Sequence, residues 1–111
     1  MKNGKIKIID IGHKNLNLED AQSLLETTIS QIAYEGNIKV VKIITGHGSG
    51  ALRSSVRKWL QDQEGRFQGV IYGEDYNMFN TLASDMRSEC FVREDHDFGK
   101  NNSAITLVWL W

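Results

Sequence analysis

Three alternate glycines, Gly46, Gly48 and Gly50, stand between the β-branched run Ile43-Ile44-Thr45 and a helical pattern that opens at Ala51. Glycine lets a backbone turn sharply and leaves no Cβ between the chain and a ligand. The helix behind such a loop turns its unpaired first-turn amides and the positive end of its dipole toward it. Together these make a site for an anion, above all a phosphate. Thr45, His47 and Ser49 interleave with the glycines, and Arg53 and Arg57 follow at helical i, i+4 spacing. A second group lies earlier. Asp10 and His13 end the apolar run Ile8-Ile9-Asp10-Ile11. An aspartate that orients a histidine, and a histidine that activates water or a ribose hydroxyl, suffice for phosphodiester cleavage.

Each residue also has a plainer reading. The glycines are equally a strand-to-helix turn, and Arg53 and Arg57 ordinary solvated charges. Arginine near a helix N-terminus opposes the dipole, however, which favours a ligand-based reason for Arg53. His47 is either an acid–base or phosphate group or a variable loop residue. Asp10 alternatively caps a turn and His13 is then a surface residue. Lys2, Lys5, Lys7, Lys39, Lys42 and Lys58 offer a basic face for a phosphate backbone, or serve solubility. Tyr72, Tyr76 and Phe98 are stacking candidates, although core packing is the stronger reading. His96 within Glu94-Asp95-His96-Asp97 has the look of a metal-ligand cluster, but an acidic loop is the simpler account.

The elements that must position these groups follow from periodicity. Lys5–Ile11 reads as a strand, with Ile6 and Ile8 alternating with lysines. Gly12–Asn17 is a polar turn, with Asn17 as N-cap and Asp20 as a capping-box acid. Ala21, Leu24, Leu25, Thr28, Ile29, Ile32 and Ala33 keep helical spacing until Gly36 ends the helix. Ile38–Ile44 is a strand apolar enough for the interior of a covered sheet. Leu52, Val56, Trp59 and Leu60 mark the inner face of a second helix, closed by Gln61–Gly65. Phe67–Tyr72 is a third strand. Asp75 is expected to cap a third helix that buries Met78, Phe79, Leu82, Ala83 and Met86. Glu89–Arg93 is a short strand or a loop, and Glu94–Ser103 a charged, mobile run. Ala104–Trp111 is a last strand, either interior or an edge covered by a partner. Its Trp109 and Trp111, with the Met78–Met86 helix, are also the surface a protein-interaction domain would use.

The order strand–helix–strand–helix–strand predicts one α/β domain over 1–111, with helices packed on a sheet. The chain has 111 residues and a net charge of −1, so nucleic-acid binding must rest on a local patch. Its single cysteine, Cys90, excludes an intramolecular disulfide and suits a reducing compartment. Neither C-x-x-C nor H-E-x-x-H occurs, so no metal or other cofactor is expected. No secretory leader or membrane-spanning run is evident, which makes the cytoplasm the expected address and a membrane partner unexpected. The chain contains no proline, so glycine, Asn and Asp must make its turns.

The glycine loop fits neither common nucleotide motif. A P-loop needs Lys-Ser/Thr after its last glycine, where this chain has Ala51-Leu52. A dinucleotide fingerprint wants G-x-G-x-x-G after a first strand with an acid about 20 residues on. The stretch Ile43-Ile-Thr-Gly-His-Gly-Ser-Gly-Ala-Leu-Arg-Ser-Ser-Val-Arg-Lys-Trp-Leu60 instead resembles the central motif of the Smr (small MutS-related) domain family. There a strand ends in Thr/Ser/His-Gly-x-Gly, followed by Gly-x-Leu-Arg and a helix. The resemblance implies an α/β sandwich with a mixed four- to five-stranded sheet, similar to the C-terminal domain of translation initiation factor three. It implies binding to DNA or RNA through the phosphate backbone and, in some members, nicking of DNA or cleavage of RNA.

The chain departs from that pattern in three places. Where the family has Asp-Leu-His-Gly, this sequence has Asp10-Ile11-Gly12-His13, and a gapless count from Ala21 puts Lys14 at the histidine position. The family's Gly-x-Gly-Ala-Thr lead-in to the last strand is replaced by Asn102-Ser103-Ala104-Ile105-Thr106. The connector is also longer, with an insertion at about 73–101. Three functions therefore stand side by side: an endonuclease, a non-catalytic module for branched DNA or structured RNA, and a protein-interaction domain, whether free-standing or part of a parent chain.

Overall fold

The computed structural model describes residues 5–111. Its elements are β1 (Ile6–Asp10), α1 (Leu18–Glu35), β2 (Val40–Ile44), α2 (Ala51–Gln61), β3 (Gly69–Tyr72), a single 3-10 turn (Gly73–Asp75), α3 (Thr81–Glu89) and β4 (Ile105–Trp109). They form an α/β fold around a mixed sheet of four strands in the order β1-β2-β4-β3. β1 and β2 are parallel, and β4 runs antiparallel to both of its neighbours, β2 and β3. Three strands therefore end, and β4 begins, at one sheet edge.

Strand alternation sorts the core onto two faces. Ile9, Ile11, Val41, Ile43, Val108 and Leu110 pack against Ala21, Leu25, Ile29 and Ile32 of α1 and against Val56, Trp59 and Leu60 of α2. Val40, Ile71, Ile105, Leu107 and Trp109 point the other way, where the 73–101 segment covers them with Tyr76, Ala83, Met86 and Val92. β4 is buried along its whole length, so the interior-strand alternative holds and its edges are taken by β2 and β3. Local signals act as expected in α1. The Asn17 side chain accepts from the Asp20 amide at 2.7 Å, and Gly36 adopts φ 76° to close the helix.

The third helix differs from expectation. Asp75 belongs to the 3-10 turn, and the cap is Asn80, whose side chain accepts from the Ala83 amide at 3.0 Å. Met78 and Phe79 stay 72% and 89% exposed, whereas Ala83 and Met86 are buried. Two asparagines cause the delay. Asn77 accepts from the Phe79 amide at 2.9 Å, and the Asn80 amide donates to the Asn77 carbonyl. Such side-chain bonds offer the backbone a turn in place of a helix. Glu89–Arg93 is the helix end and a loop, with no strand.

The charged run after it is anchored. Asp95 and Asp97 accept from Lys42 Nζ at 2.6 and 2.7 Å, and Tyr76 donates to Asp95 at 3.0 Å. Burial and the adjacent Asp95 carboxylate push the Tyr76 hydroxyl well above its ordinary pKa. Phe98 packs edge-on to Tyr76, so both rings belong to the core on this face of the sheet.

The join between β3 and the 3-10 turn is tight. A Cβ on Gly73 would lie 1.8 Å from the Asn102 carbonyl oxygen and 2.8 Å from that of Ile105. Gly73→Ala is expected to lower stability toward the upper end of about 1–3 kcal/mol, because backbone on both sides cannot yield as a side chain does. A urea titration should show a lower midpoint at unchanged slope. An unchanged midpoint would contradict the packing described.

Candidate functional site

The parallel β1–β2 pair places Asp10 opposite Ile44, so the turn after β1 and the loop after β2 leave the same sheet edge. The amides of Ile11 and Gly12 both donate to the Ile44 carbonyl at 3.0 Å. Gly12 then passes so near the next strand end that a Cβ would sit 2.8 Å from the Thr45 carbonyl. This close approach is why glycine stands at 12 and histidine only at 13. It was not legible in the sequence, since it depends on strand register.

Asp10 uses both carboxylate oxygens. Oδ1 accepts from the Gly12 amide at 3.1 Å, and Oδ2 lies 2.7 Å from His13 Nδ1. The hydrogen bond from His13, aided by the turn amides, holds the Asp10 carboxyl below its ordinary value despite the opposing effect of burial. An ionised Asp10 only accepts, so His13 Nδ1 is the donor, and Nε2 is the ring nitrogen left to meet a ligand. The His13 side chain is 79% exposed, leaving that nitrogen open to a ligand.

The glycine loop faces this dyad. Gly12, His13, Thr45–Gly50, Leu52 and Arg53 line one cleft of about 380 Å³. Gly46 and Gly50 adopt φ 75° and 86°, a left-handed backbone that side chains resist. Gly48 does not share that conformation, and a Cβ there would meet nothing within 4 Å. Gly50 caps α2 without a side-chain bond, and Ser49 Oγ accepts from the Ala51 amide at 3.3 Å. The next amides of the first turn have no intrahelical acceptor. Arg53 folds back over the loop, its Nη2 lying 3.0 Å from where a Gly50 Cβ would be, with a long 3.5 Å contact from Nη1 to Ser103 Oγ. His47 is exposed at the rim.

The remaining candidates are engaged in other contacts. Thr45 is buried, and its hydroxyl donates to the Ala104 carbonyl at 3.1 Å rather than pointing outward. Arg57 is not part of the cleft lining. Its guanidinium makes a bidentate pair with Glu74 at 2.7 and 2.8 Å and stacks 4.1 Å above the Tyr72 ring. The basic face does not assemble either. Lys42 is buried between two aspartates, Lys39 donates to the Trp111 carbonyl, Lys58 pairs with Asp62, and Lys2 lies outside the described residues. Asp95, His96 and Asp97 do bring ligand atoms within 4.8 Å of one another, but the Lys42 ammonium already occupies the aspartates.

A family model described as the Smr domain matches residues 12–71. Among solved structures, the crystal structure of the Smr domain of Thermus thermophilus MutS2 is similar, with a TM-score of 0.61 and 17% identity over 95% of this chain and 98% of that one. No curated protein matches the chain. The family match begins at Gly12, within the turn that carries His13, and covers the whole glycine loop.

Proposed function

The chain belongs to the Smr domain family, and from that premise we propose that its cleft binds the phosphate backbone of DNA or RNA and positions one phosphodiester for cleavage by the Asp10–His13 pair. Smr domains in general bind or nick nucleic acids, and no helix among the described residues is long and apolar enough to cross a membrane. The observation that carries the proposal is the shared cleft: a histidine held by an aspartate at 2.7 Å opens onto the same volume as the glycine loop. Gly46–Gly50, the first-turn amides of α2 and the Arg53 guanidinium supply the attraction for a phosphate. His13 Nε2 takes the proton from water or a ribose hydroxyl as its oxygen attacks phosphorus. His47, on the same rim, is placed to contact the phosphate or return a proton to the departing oxygen. Leu52 is the one large aliphatic side chain in the lining, and no Phe, Tyr or Trp stands there for a base to stack on. Recognition then rests on the backbone rather than on sequence.

Two measurements test this together. Binding of fluorescein-labelled branched DNA and stem–loop RNA should weaken with salt, with a log–log slope of about −1 to −2 for one or two phosphates. Gly48→Val should fold as the parent does, because its Cβ has open space. It should still lose about tenfold or more in affinity by filling the cradle. Wild-type affinity in Gly48→Val would remove the cleft from the binding surface. Binding without nicking of supercoiled plasmid or cleavage of RNA would leave the non-catalytic module. Absence of salt-sensitive binding would leave the protein-interaction reading.

A further inference from the structure

Resting on that reading, we infer that Arg57 and Glu74 are a positioning pair that sets the glycine loop, so that the 73–101 insertion holds the phosphate site in shape from outside it. The inference starts from where the Arg57 donors go. Two bind Glu74, at the first turn of the insertion, at 2.7 and 2.8 Å. Nη2 also reaches the carbonyls of Ser103 and Ile105 at 3.4 and 3.2 Å, and Nε reaches Thr106 Oγ1 at 3.2 Å. The peptide carbonyl between those two is that of Ala104. It accepts from the Thr45 amide at 2.8 Å, the Gly46 amide at 3.3 Å and the Thr45 hydroxyl at 3.1 Å. The glycine loop thus hangs from one carbonyl whose neighbours on both sides are gripped by Arg57.

Glu74 keeps the grip in register. A planar guanidinium held on its outer edge by a carboxylate fork and on its face by the Tyr72 ring has little rotational freedom left. The Glu74 carboxyl is held below its ordinary value, the Arg57 hydrogen bonds outweighing burial. A second tether runs through Asn102. Its side chain donates to Asp97 at 3.2 Å and accepts from the Ala104 amide at 3.0 Å. The insertion therefore reaches the loop by two routes that meet at the Ala104 peptide.

A positioning role and a phosphate-contact role predict opposite signs for one substitution. If Arg57 were a phosphate ligand restrained by Glu74, then Glu74→Gln would free its charge and strengthen binding. If the pair positions the loop, Glu74→Gln weakens binding, by about 3- to 30-fold for a coupling of this kind. It also moves the Thr45 and Gly46 amide resonances in the ligand-free protein. The salt slope stays at the wild-type value, because no phosphate contact is removed. Arg57→Lys, which keeps the charge but not the fork, should behave alike and more strongly. Arg53→Ala, by contrast, should flatten the slope by about one and leave the Thr45 resonance in place. The experiment is amide NMR of each free variant with salt-dependent anisotropy on fluorescein-labelled stem–loop RNA and branched DNA. Unmoved loop resonances in Glu74→Gln, or tighter binding, would overturn the inference. If the wild type binds neither oligonucleotide, the proposed function fails, and the amide resonances alone still decide whether the pair sets the loop. Should Arg57→Lys not fold, Glu74→Gln, at a half-exposed side chain, carries the test.

Discussion

Lys42→Met is expected to cost about 3–5 kcal/mol, the largest single loss of stability in the molecule, because it leaves buried carboxylates without their cation. Lys42 is 3% exposed, and its ammonium lies 2.6 Å from Asp95 and 2.7 Å from Asp97. The side chain rises from the middle of β2 toward the insertion, so it pins the 95–97 segment to the sheet. Methionine matches its length, which separates the electrostatic loss from a cavity. The pH dependence should weaken as well. In the wild type, burial raises the Asp97 pKa, but the hydrogen bonds from Lys42 and Asn102 and the Lys42 charge win, leaving it below its ordinary value. A depressed carboxyl contributes stability that is complete above the unfolded value of about 3.9 and lost as pH falls through the folded one. With Lys42 gone, the main hydrogen bond and the charge that hold Asp97 down are lost, and burial raises it. Its contribution to stability at pH 7 is then lost. Denaturant midpoints at pH 4 and pH 7 should show wild type more stable at pH 7 and a smaller advantage in Lys42→Met, where the depressed Asp10, Glu26 and Glu74 still favour the higher pH. A pH 4-to-7 difference equal to that of the wild type would show that Lys42 does not govern Asp97.

The buried Lys42 also shows which parts of the fold could be read from sequence. α1, β2 and α2 follow from local period and caps, whereas in β1 the alternation of Ile6 and Ile8 with lysines misplaces the core face: Ile8 is exposed and Ile9 and Ile11 are buried. By local pattern Lys42 reads as surface charge, because lysines at strand ends usually are. Its position in Val40-Val41-Lys42-Ile43-Ile44, a run apolar on both faces, was the missed signal. A charge on a covered strand needs a counter-ion, and the densest acidic run in the chain is Glu94-Asp95-His96-Asp97. What no local pattern carries is the sheet order. Because β4 inserts between β2 and β3, Ser103–Thr106 arrives beside α2, and Glu74 beside Arg57. Arg53 and Arg57 share one helical face in sequence, yet one turn of helix separates a cleft residue from a structural anchor. The start of α3 was misplaced for a different reason: two asparagine side chains satisfied the backbone before a helix could begin.

Strand register also bears on the proposed catalytic pair, where the turn runs Asp10-Ile11-Gly12-His13. The glycine is required where the chain crosses Thr45, and the side chain of His13 still returns to Asp10, three residues back. The turn therefore keeps Asp10 and His13 in contact with glycine between them. For an enzyme, His13→Ala should reduce phosphodiester cleavage by about 10²–10⁴-fold, the range for loss of a positioned general base, with affinity changed by less than about threefold. His13 is mostly exposed and makes no contact that holds the fold beyond Asp10, so thermal stability should barely change. Asp10→Asn should lose less than His13→Ala. The amide oxygen can still hold Nδ1–H, but the negative charge that stabilises the protonated ring is gone. Gly48→Val should lose both binding and cleavage. These patterns separate chemistry from binding: cleavage alone falls in the dyad variants, and both fall in the loop variant. Cleavage that persists in His13→Ala would move the base elsewhere in the cleft, with His47 as the remaining imidazole in its lining.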